Sequence, residues 1–189
     1  TVGHTQVRRL AMGDVGGKPT AEQLAKMKDL VREAMEAGAI GVSTALIYPP
    51  AVYADTDEIG ALAAVAGEFG GRYFTHMRNE GDHLLESVDE AIRIGREGGV
   101  PVEIYHLKAS GLRNWDKMPA AIARIDAARA AGYDVQADMY LYIAGANGFA
   151  SCIAPQYAAD GKLLENLRNP KIREQVKIGL QREIPGFEN

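Results

Sequence analysis

Four short apolar runs along the chain end in a polar residue at a nearly constant interval. The runs "AIGVST", "YFTH", "PVEIYH" and "YDVQAD" finish at Thr44, His76, His106 and Asp138, which lie 32, 30 and 32 residues apart. The segments between them carry helical periodicity. In "TAEQLAKMKDLVREAMEAG", Leu24, Met27, Leu30, Val31 and Met35 fall on one helical face, Thr20 and Gln23 form a capping-box pair, and Gly38 suits the exit. "DTDEIGALAAVAGEFGG" repeats the pattern with Ile59, Leu62, Val65 and Phe69, opened by Asp55 and Glu58. "LLESVDEAIRIGREGG" does so with Leu85, Val88 and Ile92, and "MPAAIARIDAARAAG" with Met118, Ile122 and Ile125. A strand–helix period of about 30 residues is a chain of βα units, whose crossover helices force the strands parallel.

Two architectures fit that repeat, an open doubly wound sheet and a (β/α)8 barrel. No G-x-G-x-x-G or P-loop follows any strand. Polar residues at successive strand ends are instead what a barrel-mouth site requires. A complete barrel takes ~250 residues. This chain has 189, with four strands and a fifth if "VGHTQVR" is a strand end and its loop. The expectation is a partial α/β barrel over residues 1–189, a piece of a longer protein.

Composition narrows the class. With 47% hydrophobic and 24% charged residues the chain reads as a soluble globular domain, and a net charge of −4 implies no attraction to nucleic acid or an anionic membrane. No apolar run approaches the ~20 residues that cross a bilayer. The opening "TVGHTQVRRLAMG" lacks a signal-peptide layout. A single cysteine, Cys152, excludes an internal disulfide and a Cys-rich zinc site, and fits a reducing, cytoplasmic setting. Its default reading is a buried, inert thiol.

The strand ends carry the chemistry. A lone histidine in such a place is more often a satisfied core or loop residue. His76 and His106 differ because they close consecutive strands, which lie ~4.8 Å apart and bring two imidazoles within reach of one ion. Lys108 stands on the same rim, either solvated or anchoring a substrate carboxylate. A Schiff-base lyase built on Lys108 is one rival, and a non-catalytic barrel module is another. Arg78 and Glu80 read as a local bridge that shapes the loop after His76. Asp138 reads as a carboxylate orienting a ligand histidine. Tyr140 and Tyr142 flank the mouth, Tyr48 sits in the diproline loop "STALIYPPAVYADT", Trp115 packs its own loop, His4 either supports a ligand from behind or is structural, and His83 lies on the surface.

These blocks also resemble a family. "GAIGVSTALIYPPAVYADTDE", "YFTHMRNEG", "VEIYHLKASG", "NWDK" and "ADMYLYIAG" are similar to the D-aminoacylase, or N-acyl-D-amino-acid deacylase, branch of the amidohydrolase superfamily, from "VGH" through "IPGFEN". The resemblance implies a (β/α)8 barrel with an accessory β domain, and zinc-dependent hydrolysis of the amide in an N-acyl-D-amino acid. It implies that His76 and His106 bind Zn2+, that Lys108 and Tyr140 bind the substrate carboxylate, and that Tyr48, with Ile47, lines the pocket. The family's first-strand H-x-H, its cysteine ligand and its last-strand catalytic aspartate have no match, so no catalytic base is expected within these residues. Ala45, Leu141 and Ala146 depart from the family's usual glycine, proline and small polar residue.

Overall fold

The computed structural model describes residues 1–146, 148–158 and 161–183; the closing "IPGFEN" lies outside them. Five strands form one sheet, β1 (Val2–Gly3), β2 (Gly41–Ala45), β3 (Arg72–His76), β4 (Val102–Ile104) and β5 (Val135–Ala137). They lie side by side in chain order, every neighbouring pair parallel. A doubly wound sheet needs a reversal of strand order, and this one has none. Sequential parallel order with a helix at each crossover is the geometry of a barrel segment.

The crossovers are α1 (His4–Met12) and α2 (Ala21–Glu36), then α3 (Thr56–Gly67), α4 (Leu84–Gly98) and α5 (Met118–Ala130), each helix from α2 onward packed on the next. Beyond β5 come α6 (Pro155–Ala158), α7 (Leu163–Arg168) and α8 (Pro170–Glu183). The predicted caps form. Thr20 accepts from Gln23 N at 3.2 Å while Gln23 Oε1 accepts from Thr20 N at 2.8 Å, and Asp55 accepts from Glu58 N.

Register explains the two faces. Val42, Tyr73, Val102 and Val135 align across the sheet, as do Thr44, Thr75, Ile104 and Ala137. The apolar members of both rows up to Val135 pack against the helices. Val42 meets Met27, Val31, Leu62 and Val65, whereas Tyr73, Val102, Ile104 and Val135 join Ile59, Val88, Ile94 and Ile125. Tyr73, Thr44 and Thr75 would be expensive there unpaired, but the Tyr73 hydroxyl meets Thr44 Oγ1, which donates to Thr75 Oγ1, each at 2.9 Å. Ser43, Phe74, Glu103 and Gln136 take the opposite face, and His76 follows Phe74 on it by strand alternation.

Several local expectations change. Phe69 and Ile122 are exposed, because α3 has ended at Gly67 and the inner face of α5 is made by Ala121, Ile125 and Ala128. Trp115 is exposed too, on a 3-10 turn spanning Leu112–Lys117. Cys152 is only partly buried. The extra strand at "VGH" exists as the two-residue β1, and His4 begins a helix rather than a loop. His4 and Arg8 are fully buried, and both reach Glu58 of α3, at 2.8 Å and 2.5 Å. That cluster fastens α1 to the first turn of α3, which gives His4 a structural role.

Candidate metal and substrate site at the strand ends

The sheet delivers His76 and His106 to one place, though not by the matching positions their spacing suggests. Thr75 pairs with Ile104, so the residue facing His76 is Tyr105, whose ring stacks on Phe74 at 5.7 Å. His106 lies one step further, where strand alternation would turn it toward the helices. Its φ of +40° is the only positive value at a non-glycine among the described residues, and this left-handed turn swings the ring back onto the His76 side. His76 Nδ1 and His106 Nε2 then stand 3.0 Å apart. Asp138 secures the turn: its carboxylate accepts from the His106 backbone N–H at 2.5 Å, and its carbonyl accepts from Leu107 N. Asp138 therefore holds the backbone of a candidate ligand rather than its ring.

Glu80 completes the cluster. Asn79 Oδ1 accepts from the Gly81 and His83 amides, closing a tight turn, and Ser110 N donates to the Glu80 carbonyl. The turn separates Arg78 from Glu80, which do not pair as the sequence suggests. Arg78 reaches Glu90 of α4, while Glu80 Oε1 points at the histidines, 3.1 Å from His106 Nδ1 and 4.0 Å from His76 Nδ1. Ligand atoms of His76, Glu80 and His106 all lie within 4.8 Å of one another. Sequence reading missed Glu80 because nothing in "HMRNEG" says on which side of the turn its carboxylate falls.

Lys108 ties the group together. Its ammonium donates to Glu80 Oε1 at 2.7 Å, and to His106 Nδ1 and the His106 carbonyl, each at 2.8 Å. An ammonium has only protons to offer, so His106 Nδ1 is an acceptor and its Nε2–H donates to His76 Nδ1. The remaining His76 proton sits on Nε2, which is buried with no hydrogen-bond partner among the described residues. Lys108 is held among three acceptors beside the histidines, which suits an anchor for an anion better than a Schiff-base nucleophile. The aromatic walls close in: the Tyr48 ring lies 6.3 Å from His76, the Tyr140 ring 6.4 Å from His106, and Lys108 Nζ 5.5 Å from the Tyr140 centroid. Tyr142 turns out to solvent.

This donor set fits a divalent metal. Two nitrogens on one zinc at ~2.0–2.1 Å each span ~3.0–3.4 Å, and a borderline-soft ion accepts imidazole and carboxylate together. Burial lowers the pKa of His76, as do His106 and Lys108, against an upward pull from Glu80. A neutral imidazole is what a metal requires. The ion would take the place of the proton now shared by His76 Nδ1 and His106 Nε2, the two ring nitrogens that face each other.

No family model matches the chain. It is 44% identical over 144 residues to a D-aminoacylase of Alcaligenes xylosoxydans xylosoxydans, covering 76% of this chain and 30% of that protein. A crystal structure of a D-aminoacylase that defines a novel subset of amidohydrolases superimposes with a TM-score of 0.72 at 42% identity, over 75% of this chain and 30% of the other. An N-acyl-D-glutamate deacylase from Bordetella bronchiseptica, complexed with zinc and a phosphonate mimic of the tetrahedral intermediate, gives 0.71 at 39% identity, over 74% and 29%. The chain thus spans about 30% of the length of the curated D-aminoacylase that it matches. With this identity, this superposition and the histidine pair at its strand ends, the chain belongs to the D-aminoacylase, or N-acyl-D-amino-acid deacylase, family of amidohydrolases.

Proposed function

We propose that the chain supplies the central βα units of a (β/α)8 barrel enzyme that hydrolyses N-acyl-D-amino acids with zinc. The observation that carries this reading is the approach of His76 Nδ1 to His106 Nε2, 3.0 Å apart, with Lys108 and Tyr140 beside them. His76 and His106 are the metal ligands, and Glu80 presents a carboxylate oxygen to the same ion. A bound zinc supplies Lewis acidity, lowering the pKa of a water toward ~7 and polarising the acyl carbonyl.

The chain's own groups do the rest. Lys108 leaves Glu80 for the substrate carboxylate, an exchange of one carboxylate oxygen for another at an ammonium. Tyr140 places a hydroxyl and a ring face beside that carboxylate, and Tyr48 walls the opposite flank next to His76. Fixing the carboxylate and the scissile carbonyl at two points leaves a third direction for the side chain, which is how such a site selects the D-isomer. We assign no general base to these residues. The partner is a small molecule, and a cytoplasmic setting fits the single cysteine.

Zinc titration against a chelating indicator tests the metal half. Wild type should bind with an affinity that His76→Ala or His106→Ala weakens by at least about 100-fold. Equal binding in the double variant would sink the reading. In the enzyme that contains this chain, release of a D-amino acid from its N-acetyl derivative should outpace release of the L-isomer.

A further inference from the structure

We infer that Arg78 is a positioning residue for the substrate pocket, clamping the loop that carries Tyr48 against the metal-site strand. The loop between β2 and α3, residues 46–55, is held at its start by Leu46 N donating to the His76 carbonyl at 3.2 Å. Toward its far end, Arg78 grips two backbone carbonyls in succession. Arg78 Nη1 donates to the Val52 carbonyl at 3.0 Å and Nη2 to the Ala54 carbonyl at 2.8 Å. The same guanidinium is fixed from behind by Glu90, with Nε to Oε2 at 2.9 Å and Nη2 to Oε1 at 2.8 Å. Glu90 in turn accepts from Thr56 Oγ1, at the start of α3.

Three segments therefore meet at one planar cation placed two residues past His76. Leu46, Ala51 and Ala54 are buried in the same core as Met77 and Leu84, so the loop is seated as well as tethered. Tyr48 lies between these fixed points, with its ring 6.3 Å from that of His76. Arginine is required by geometry. A lysine ammonium is a single point and cannot span two carbonyls and a bidentate carboxylate at once. The Arg78 guanidinium bonds to Glu90 and to the Val52 and Ala54 carbonyls rather than to His76, Glu80 or His106, so it acts through the loop and its effect belongs in substrate binding. This inference rests on the deacylase reading for what the pocket holds, but the clamp itself is a property of the chain.

The test is Arg78→Lys in the zinc-loaded enzyme containing this chain, read by kinetics, zinc titration and hydrogen exchange. KM for an N-acetyl-D-amino acid should rise about tenfold while kcat and zinc affinity stay within about threefold. Backbone amides of residues 46–54 should exchange faster while those of β3 and α4 keep their protection. Glu90→Gln should act in the same direction more weakly, and it serves where Arg78→Lys proves too unstable to purify. Unchanged KM and unchanged loop exchange overturn the proposal, as does a fall in zinc affinity with KM intact. Should wild type show no deacylase activity, the functional reading fails, and the exchange measurement still decides the clamp.

Discussion

His106 combines a left-handed backbone with a side chain that must point at a neighbour 3.0 Å away. A non-glycine residue in that region costs about 1–3 kcal/mol, and something local must hold it. Asp138 does so through the His106 amide. Asp138→Ala should therefore weaken zinc binding by about 10–100-fold, whereas Asp138→Asn keeps an oxygen acceptor and should lose much less. Equal losses, read by zinc titration, would mean that charge and not the turn is at work. Glu58 is the second residue whose setting makes a measurable claim. Burial pushes its carboxyl up, but the hydrogen bonds and charge attraction of His4 and Arg8 together outweigh that and leave it below the usual range. A carboxyl depressed in the folded state stabilises above its unfolded pKa of ~4.3, and this contribution is lost as pH falls through the lower folded value. Glu58→Gln should lower stability at pH 7 by about 3–5 kcal/mol, since Arg8 stays buried without its anion. The gap between variant and wild type in urea midpoints should narrow below about pH 4.

Among the elements, α4 shows packing overruling propensity. Gly95 lies mid-helix, where alanine would be favoured by about 1 kcal/mol. A Cβ there would collide with Val102 Cγ2 and stand 3.1 Å from the Val100 carbonyl, so the helix rides on β4 at a separation only glycine permits. Gly60 in α3 faces open space. Gly95→Ala should destabilise by about 1–3 kcal/mol and Gly60→Ala should stabilise by about 0.4–1 kcal/mol, both read from denaturant midpoints. The helix start at Thr20 was legible because a capping box is local chemistry. The outward turn of Phe69 and Ile122 was not, because periodicity marks an apolar stripe without saying where a helix stops or which alanines fill the narrow contact.

At the scale of the whole molecule, the outer edge of β5 has no strand partner among the described residues. Beside it, Met139, Leu141, Tyr142 and Ile143 are 71%, 92%, 79% and 99% exposed. An apolar cluster next to an open edge is a surface that associates. The 189-residue chain should bind an apolar dye and scatter light increasingly with concentration, and Leu141→Lys with Ile143→Lys should suppress both. The fold class followed from the sequence alone, because a strand–helix period near 30 residues with polar strand ends admits few parallel architectures. The candidate histidines followed from the same spacing together with the "THMR" and "YHLK" blocks. Only the tertiary structure decided that His106 reaches His76 through a left-handed turn, that Glu80 joins them and that Arg78 turns away to Glu90. Those outcomes depend on register and on which side of a turn a side chain leaves, and each involves a partner distant in the chain: Asp138 for His106, Ser110 for the Glu80 turn and Glu90 for Arg78.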